Sequence, residues 1–596
     1  MPPVARKFQG LLLLDDAWSR RRLLRDLEHS RSGRTSHLAA AICKAMKVLI
    51  LGGYGTFGGR LAQLLADEPA VTLILAGRDF EKAAAFCTRL NATNAAPAQF
   101  DRAGDIEQRL AELAPHLIVD ASGPFQLYAD PYRVVRAALA RQIDYLDLAD
   151  ASDFVEGIAQ FDADAKARGI FVLAGASSFP VLTSAVIRNL AAHMASVEAV
   201  TGGIAPSPYA GVGLNVIRAI ASYAGKPIAM LDHKVHYALI ETRRYTIAPP
   251  GRVPLHPTHF SLIDVPDLRV LPELWPSLKS VWMGVGPVPE ILHRGLNTFA
   301  WLVRLRMLPS LSSMAVLIHW VTNWLRWGEH RGGMFVDVKG RDRDNAPVAY
   351  AWHMIAEGDD GPFIPSMAAE AIIRRCVAGQ RPATGARPAT SDVELSDYDA
   401  LFAKRRIYTG IRTPLPADAP LYRRLLGDVF DQMPAPWRAM HAIANELTAE
   451  GVANVERGTN VLARWLAGLI GLPAAGSDVP VRVTFTARNG IETWRRQFAG
   501  RSFTSTQQEG HGRFACLLNE TFGPCQLGLA LVVENGRMQL IVRRWSLFGV
   551  ALPRAWAPIG NACEFVEAGR FNFDVEISHP LMGRIVHYRG WLVPRP

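Results

Sequence analysis

Short apolar runs alternate with helical patterns from residue 47 to about residue 190. The runs are too short for helices and end at Gly, Pro or charged residues, so they predict buried strands. Strands are predicted at Lys47–Leu51, Val71–Ala76, Ala98–Asp101, Leu117–Ala121, Ile143–Leu148 and Ile170–Ala174. Helices are predicted between them at Gly58–Ala66, Phe80–Leu90, Pro131–Ala140 and Phe154–Arg168. This alternation is typical of a doubly wound α/β domain with a parallel sheet, which we assign to residues 46–190.

The pattern changes over residues 191–412, which are richer in proline. Apolar residues alternate with a period of two over Met334–Val338, and with Pro347–Ile355 they predict an antiparallel sheet. A helix is predicted at Pro365–Ala378 and a loop at Gly379–Thr390. We expect an α+β domain that binds substrate or forms a dimer.

A proline-rich linker at 413–420 leads to a third region, 421–596. Helices are predicted there at Leu421–Gln432 and Asn460–Ile470. Asn489-Gly490 and Asn535-Gly536 each separate two alternating runs, which is a strong hairpin signal. Roughly eight strands follow, so a mainly antiparallel sheet or open barrel is predicted. Its inward set includes Val481, Val483, Phe485, Phe571, Phe573, Val575 and Ile577. The sheet could enclose a small apolar ligand or be filled by its own helices.

Composition adds little to this picture. The chain has 596 residues, enough for two or three domains, and a net charge of +10. Half of that charge lies in the first 45 residues, which hold nine basic and four acidic residues. We interpret 1–45 as a disordered tail or a start assigned too early. The remainder is only mildly basic, so no nucleic acid partner is expected. Scattered cysteines without a Cys-x-x-Cys pair fit a reducing cytoplasm.

A glycine-rich turn lies between the first strand and the first helix. Its pattern is Gly53-x-Gly55-x-x-Gly58, with Thr56 and Phe57 at the start of the helix. The first glycine permits a tight turn, the second lets the backbone approach a pyrophosphate, and the third lets helix and strand pack closely. The sequence therefore predicts a Rossmann dinucleotide-binding domain.

The next residues bear on the choice of cofactor. NAD-binding domains carry an acidic residue after the second strand, whereas here Arg78 stands there, followed by Asp79. A guanidinium group suits the 2′-phosphate of NADP, so NADP is the predicted cofactor and no metal is predicted. We expect further cofactor contacts after the third strand, at Asp101, and after the fourth strand. The latter are Ser122, Gly123 and Pro124.

Two polar residues share one face of the fifth strand. Tyr145 and Asp147 are two positions apart, at the carboxyl end that borders the ligand crevice of such a sheet. Either could orient substrate or transfer a proton, and they are the predicted catalytic residues. The alternative is a structural hydrogen bond from Asp147 to a neighbouring loop.

These motifs resemble the saccharopine-dehydrogenase-like family. The resemblance rests on the glycine-rich turn, Leu75–Arg78, Ser122–Phe125 and Asp144–Asp147, and more loosely on Val338–Asp342 and Ala368–Arg375. It implies NADP-linked redox chemistry without naming a substrate, because the family includes saccharopine reductases, lipid-associated members and enoyl reductases. From Leu421 onward the chain resembles a bacterial domain of uncharacterised function. Val455–Gly458, Thr493–Phe498, Glu520–Pro524, Leu552-Pro553 and Gly569–Phe571 carry that likeness.

The segment Ile291–Gly328 contains no acidic residue, and it holds four tryptophans and four arginines. Within it, Met307–Leu325 is an uncharged run long enough to span a membrane. A polar stripe at helical spacing makes the segment partly amphipathic, which favours a helix lying in a membrane interface. Burial against the sheet or another subunit, and a membrane span, are the alternatives.

Taken together, the sequence predicts an NADP-dependent oxidoreductase that transfers hydride to a small hydrophobic substrate. Two alternatives stay open: an amino-acid-type dehydrogenase that forms or cleaves a secondary amine, and a non-catalytic protein that senses NADP or binds lipid. The first would need Arg or Lys clamps for carboxylates near the crevice, and the adjacent pair Arg243 and Arg244 is the candidate for them. We expect a cytoplasmic protein, with membrane-surface contact and a homodimer as open possibilities.

Overall fold

The computed structural model describes residues 45–595, and the predicted extension before residue 45 lies outside them. The chain forms two compact units. The first contains residues 45–178 and the later segment Pro365–Asp392. The second contains Phe179–Ile364 and everything described after Asp392.

The first unit is built on a parallel sheet of seven strands. Six come from its first segment: β1 (Met46–Leu51), β2 (Val71–Gly77), β3 (Ala95–Gln99), β4 (Leu117–Asp120), β5 (Asp144–Asp147) and β6 (Phe171–Ala174). The seventh, Gly385–Pro388 (β15 in chain order), pairs with β6 where a loop was predicted. The strand order is β15-β6-β5-β4-β1-β2-β3, which confirms the Rossmann-type doubly wound sheet.

Helices connect these strands as crossovers: α1 (Thr56–Leu64), α2 (Phe80–Leu90), α3 (Ile106–Leu113), α4 (Arg133–Arg141), α5 (Ser152–Gly157) and α6 (Asp162–Ala167). The single helix predicted over Phe154–Arg168 is wrong, because a 3-10 turn at Ile158–Phe161 separates α5 from α6. The central strands β1 and β4 are almost entirely buried, as strands covered by helices on both faces must be.

The second unit contains a mixed sheet of seven strands. They are β7 (Ser196–Ala205), β10 (Thr242–Tyr245), β11 (Thr258–Leu262), β12 (Ser280–Val285), β13 (Arg331–Arg341), β14 (Pro347–Glu357) and β16 (Ile407–Arg412). The order is β10-β11-β12-β7-β13-β14-β16, and only β7 and β12 run parallel. A separate hairpin pairs β8 (Pro227–Ala229) with β9 (Val235–Tyr237). The predicted antiparallel pair β13–β14 is confirmed.

Helices surround this mixed sheet: α7 (Thr183–Ala191), α8 (Leu214–Tyr223), α9 (Asp267–Leu274), α10 (Glu290–Arg304), α11 (Ala315–Trp324) and α13 (Leu395–Phe402). Helix α12 (Ile364–Val377) leads back into the first unit. Helix α7 packs on β7 and β13, and α9 packs on β12. No helix among the described residues is long and apolar enough to cross a membrane, and the run Met307–Leu325 is helical only from a 3-10 turn at Ser312 to Trp324.

The chain ends in an antiparallel barrel within the same unit. Its strands are β17 (Glu446–Arg457), β18 (Gly476–Arg488), β19 (Ile491–Phe498), β20 (Arg501–Glu509), β21 (Leu518–Phe522), β22 (Cys525–Glu534), β23 (Arg537–Leu547), β24 (Val550–Ala551), β25 (Ile559–Glu567), β26 (Arg570–His579) and β27 (Gly583–Pro594). Pairing of β22 with β23 closes ten of them, and β24 is appended to β23. The prediction of about eight strands and an open form therefore undercounts the strands, while the antiparallel β class is confirmed.

Three helices contribute to the barrel core: α14 (Leu421–Leu426), α15 (Asp428–Gln432) and α16 (Ala435–His441). A fourth helix, α17 (Val461–Ile470), buries Ala463 and Ala467 but leaves Val461, Leu462 and Trp465 exposed. Tyr422 and Trp437 are fully buried and pack with the strand residues of the barrel in one apolar core. The predicted inward set lies in or against this core, which confirms it. Of the two arrangements left open by the sequence, packing of the barrel's own helices into the sheet is the one observed.

Polar side chains are embedded in the barrel core as well. Glu564 accepts hydrogen bonds from Trp437 Nε1 at 3.1 Å and pairs with His441 Nε2 at 2.8 Å. All three side chains are buried. Such a network holds α16 in one position on the barrel wall, because each buried donor needs its acceptor.

Candidate functional site

The glycine-rich turn is closed by backbone contacts. Gly52 has a φ of +72°, and its carbonyl oxygen accepts the Gly55 N–H at 2.8 Å. A Cβ on Gly58 would lie 2.4 Å from that oxygen, and a Cβ on Gly53 would lie 2.9 Å from Leu75 Cα. Only glycine fits at these two positions, so the start of α1 comes as close to the strands as a dinucleotide-binding turn requires.

The start of α1 is open to a ligand. Gly55 precedes the helix without a side-chain cap, and the first turn contains no acidic residue. Gly55 and Thr56 are exposed, whereas Phe57 is half-buried. The terminal N–H groups and the positive end of the helix dipole are therefore available to a phosphate. This arrangement fits the pyrophosphate of a dinucleotide cofactor, as the sequence predicts.

Helix α12 braces α1 from a distant part of the chain. Ser366 Oγ donates to the Phe57 carbonyl at 3.1 Å, and Arg374 donates to the Leu64 carbonyl at 2.8 Å. The first pair is 309 positions apart in the sequence, so no local pattern predicts it. Both ends of the phosphate-facing helix are thus held by one later helix.

Arg78 lies at the end of β2 beside an aromatic side chain. The Tyr54 ring covers Gly77, where a Cβ would lie 2.4 Å from the ring. Asp79 caps α2 through the Lys82 N–H at 3.1 Å and forms an ion pair with the Lys82 amine. The exposed Arg78 side chain makes no hydrogen bond or ion pair within residues 45–595. Asp79 is therefore engaged and Arg78 is free, which fits a cofactor bearing a 2′-phosphate.

The loop after β4 is held by a buried ion pair. Arg102 pairs with Asp120 and donates to Ser122 Oγ at 2.9 Å, while Ser122 Oγ donates to the other Asp120 oxygen at 2.5 Å. The Arg102 guanidinium also lies 4.2 Å from the centre of the Tyr128 ring. Sequence reasoning missed Arg102, because its partners lie on another strand. The network orients the loop that contains Ser122.

The other predicted cofactor residues lie at this same edge of the sheet. Asp101 follows β3, is exposed, and accepts the Ala103 N–H at 3.0 Å. Gly123 and Pro124 continue the loop after Ser122 toward a 3-10 turn. Because the carboxyl ends of parallel strands share one edge, the turn, Arg78, Asp101 and this loop border one crevice. Contact of these residues with the cofactor stays a prediction.

Asp147 is fully buried and ties two loops together. Its carboxylate accepts the Gly175 N–H at 2.7 Å and the Ala149 N–H at 3.0 Å. Burial raises the pKa of Asp147 to about 7, against the two amide hydrogen bonds that lower it. Burial and the neighbouring Asp147 also raise the pKa of the fully buried Tyr145 well above its usual value. The predicted structural hydrogen bond to a loop is therefore present, and a catalytic part for either residue stays a prediction.

The two arginines proposed as carboxylate clamps differ in their surroundings. Arg243 lies 4.6 Å from the centre of the Trp282 ring and donates to Thr201 Oγ1 at 3.4 Å. Arg244 is exposed on β10. Adjacent residues of a strand point to opposite faces, so these two side chains cannot grip one carboxylate together.

A polar relay in the second unit was not singled out by the sequence. The Tyr245 hydroxyl donates to Asp337 at 2.5 Å and lies 3.4 Å from His353 Nε2. His353 Nδ1 accepts the Ala248 N–H at 3.0 Å, which leaves Nε2 as the protonated nitrogen of a neutral ring. Burial lowers the pKa of His353 and raises the pKa of Asp337 to about 6. The three residues are far apart in the sequence and meet only across the folded sheet.

Two parts of the chain match models of known protein families. Residues 48–173 match the saccharopine dehydrogenase NADP binding domain, and residues 433–592 match a domain of unknown function, DUF4166. Both resemblances stated from the sequence are thereby confirmed. The first match supports a nicotinamide dinucleotide cofactor and an NAD(P)-dependent oxidoreductase. A search of curated proteins finds no match to the chain.

The solved structures to which the chain shows similarity include two dehydrogenases. Saccharopine dehydrogenase (L-Glu forming) from Saccharomyces cerevisiae is 13% identical over 62% of this chain and 99% of its own, with a TM-score of 0.45. The WlbA dehydrogenase from Thermus thermophilus, solved with NAD and alpha-ketoglutarate, is 12% identical over 57% of this chain and 90% of its own, with a TM-score of 0.27.

Proposed function

We propose that the protein is an NADP-dependent reductase that acts on a small hydrophobic substrate in the cytoplasm. The observation that carries this proposal is the open start of α1 behind Gly53, Gly55 and Gly58, with the free Arg78 side chain at the neighbouring strand end. These groups would hold the pyrophosphate and the 2′-phosphate. NADPH, when bound, supplies the hydride.

The residues at the carboxyl edge have two proposed tasks. Ser122, Gly123 and Pro124 would border the nicotinamide half, held in place by Arg102 and Asp120. Asp147 would position the loops at Ala149 and Gly175, and a change in its protonation would alter both hydrogen bonds. This supports a positioning role for Asp147 more than direct contact with substrate, since the carboxylate is fully buried.

The hydrophobic substrate is favoured over an amino acid because Arg243 and Arg244 do not converge and Arg102 is already paired. The test is NADPH oxidation, followed by absorbance, against panels of enoyl thioesters, aldehydes and ketones, and 2-oxo acids with amines. Turnover of the first or second panel is expected. Turnover of the third alone would establish the amine-forming dehydrogenase. Tight NADPH binding without turnover of any panel would favour a protein that senses NADP.

A further inference from the structure

Helices α10 and α11, the loop between them and the residues just after α11 expose many large apolar side chains. We call the set the tryptophan surface; its most exposed members are Ile291, Trp301, Leu305, Met307, Val316, Leu317, Trp320, Trp324 and Trp327. Their exposed fractions run from 43% to 76%. Single exposed apolar residues are ordinary, but exposed apolar residues that recur along two consecutive helices are typical of an interaction site.

Helix α11 turns a polar side chain toward the protein and two tryptophans away from it. The side-chain amide of Asn323 exchanges hydrogen bonds with the backbone of Val212, accepting at 3.2 Å and donating at 3.1 Å. Asn323 therefore faces the protein, where α11 packs against α8. Trp320 and Trp324 lie on the outward side, with parallel rings whose centres are 5.8 Å apart. A helix that borders water normally turns polar side chains outward and apolar side chains toward the protein. The outward side of α11, with its two tryptophans, therefore fits an apolar environment better than water.

Every charged side chain within residues 291–328 is basic, and Glu290 and Glu329 flank the segment. Residues 291–328 contain no Asp or Glu, and Arg294, Arg304, Arg306 and Arg326 are exposed. Arg294 pairs with Glu290, but the other three form no ion pair within the described part of the chain. Tryptophan and arginine side by side match the two layers of a membrane interface, the apolar boundary and the anionic headgroups.

We propose that the tryptophan surface binds the interface of an anionic membrane, with α11 lying in the plane of the bilayer. A second copy of the chain fits less well, because a symmetric dimer through this face would bring the same arginines of both copies together. The described helices are too short to cross the bilayer, so the contact is peripheral. The proposal does not depend on the reaction the protein catalyses.

The test compares vesicles of phosphatidylcholine alone with vesicles that also contain phosphatidylglycerol. The full-length protein should float with the second kind, with a blue shift of tryptophan fluorescence, and binding should weaken as salt is added. Absence of flotation with anionic vesicles at low salt would overturn the proposal.

Variants locate the contact. Trp320→Ser with Trp324→Ser removes two exposed side chains, so the fold should be unaffected, and vesicle affinity should drop by about tenfold or more. The matched control is Trp556→Ser, an exposed tryptophan of the barrel, which should leave binding unchanged. All variants keep the basic first 45 residues, so those residues cannot cause a difference. An equal loss in the control would overturn the assignment to this surface. Dissociation of a dimer by the double variant, without vesicle binding by the parent, would show an interface between copies instead.

Discussion

The backbone N–H of Asp79 donates a hydrogen bond to the hydroxyl of Tyr54 over 3.2 Å. This bond joins the glycine-rich turn to the loop after β2, on which Arg78 stands. Because the Tyr54 ring also covers Gly77, the loop has little freedom to rearrange. The backbone therefore holds Arg78 in a fixed position, and its exposed side chain is available to bind a ligand.

Cofactor preference follows from that position. Arg78→Ala should weaken NADPH binding by about 1.5–3 kcal/mol, the range of a charge-assisted contact, and leave NADH binding nearly unchanged. Titration calorimetry with both cofactors measures this. Arg89→Ala, an exposed arginine at the other end of α2, is the control and should change neither affinity. Equal NADPH and NADH affinities in the parent protein would contradict the assignment.

Close packing at the turn makes Gly58 sensitive. Gly58→Ala would place a Cβ 2.4 Å from the Gly52 carbonyl oxygen, so we expect a loss of about 3 kcal/mol or more in stability, with loss of cofactor binding. Gly295→Ala is the matched control, since a Cβ there meets nothing within 4 Å. It lies in the interior of α10, and the substitution should stabilise the protein by about 0.5–1 kcal/mol. Thermal unfolding of both variants decides whether the turn is as tight as described.

Burial of Asp147 predicts a pH dependence of stability. Its pKa is about 7 in the folded protein and 3.8 ordinarily, so between those values the folded state binds more protons than the unfolded state. The free energy of unfolding should therefore fall as pH rises from about 4 to about 7, by up to about 1.4 kcal/mol per pH unit from this group.

Asp147→Asn removes this titration and keeps an oxygen that can accept both amides. Urea unfolding at pH 5, 6 and 7 should show a flatter pH dependence in the variant than in the parent. Asp164→Asn, at an exposed position on α6, should keep the parent's slope. A variant slope equal to that of the parent would mean that Asp147 is ionised throughout this range.

Substitutions of Glu564 test its role as the buried hydrogen-bond acceptor of the barrel core. Glu564→Ala leaves Trp437 Nε1–H and His441 unpaired, and each donor left without a partner should cost about 1–3 kcal/mol. Glu564→Gln keeps one carbonyl oxygen and should cost much less. Calorimetric unfolding of the full chain gives both values. Similar losses for the two variants would show that the carboxylate charge matters, rather than the acceptor.

Residues 421–596 should fold on their own, because the core of the barrel is formed entirely within them. Chemical unfolding of this fragment should be cooperative. A fluorescent fatty-acid probe should bind it no better than it binds a fragment of residues 46–412, because Tyr422 and Trp437 already occupy the interior. Saturable binding of the probe by the barrel alone would show that its helices can be displaced by a ligand.

Local patterns predicted much of the first unit. Helix α2 begins and ends where expected, because Asp79 caps it and Asn91 ends it in a left-handed conformation. Strands β1, β2 and β4 agree to within a residue, since a fully buried parallel strand needs a continuous apolar run. The glycine-rich turn could also be predicted from the sequence. A side chain at each of its glycines would clash with backbone atoms a few residues away or on the adjacent strand.

Long-range contacts decided the rest. Local patterns were enough to predict the fold class, the dinucleotide turn and the acid-free segment 291–328. The folded structure was needed to show that Gly385–Pro388 completes the parallel sheet, that Asp147 accepts a hydrogen bond from Gly175, and that α11 turns Trp320 outward. The physical reason is common to all three. A strand edge, a buried carboxylate or a helix face contacts residues that are far away in the chain. Hydrophobic periodicity is a local pattern, so it does not predict which distant residues those are.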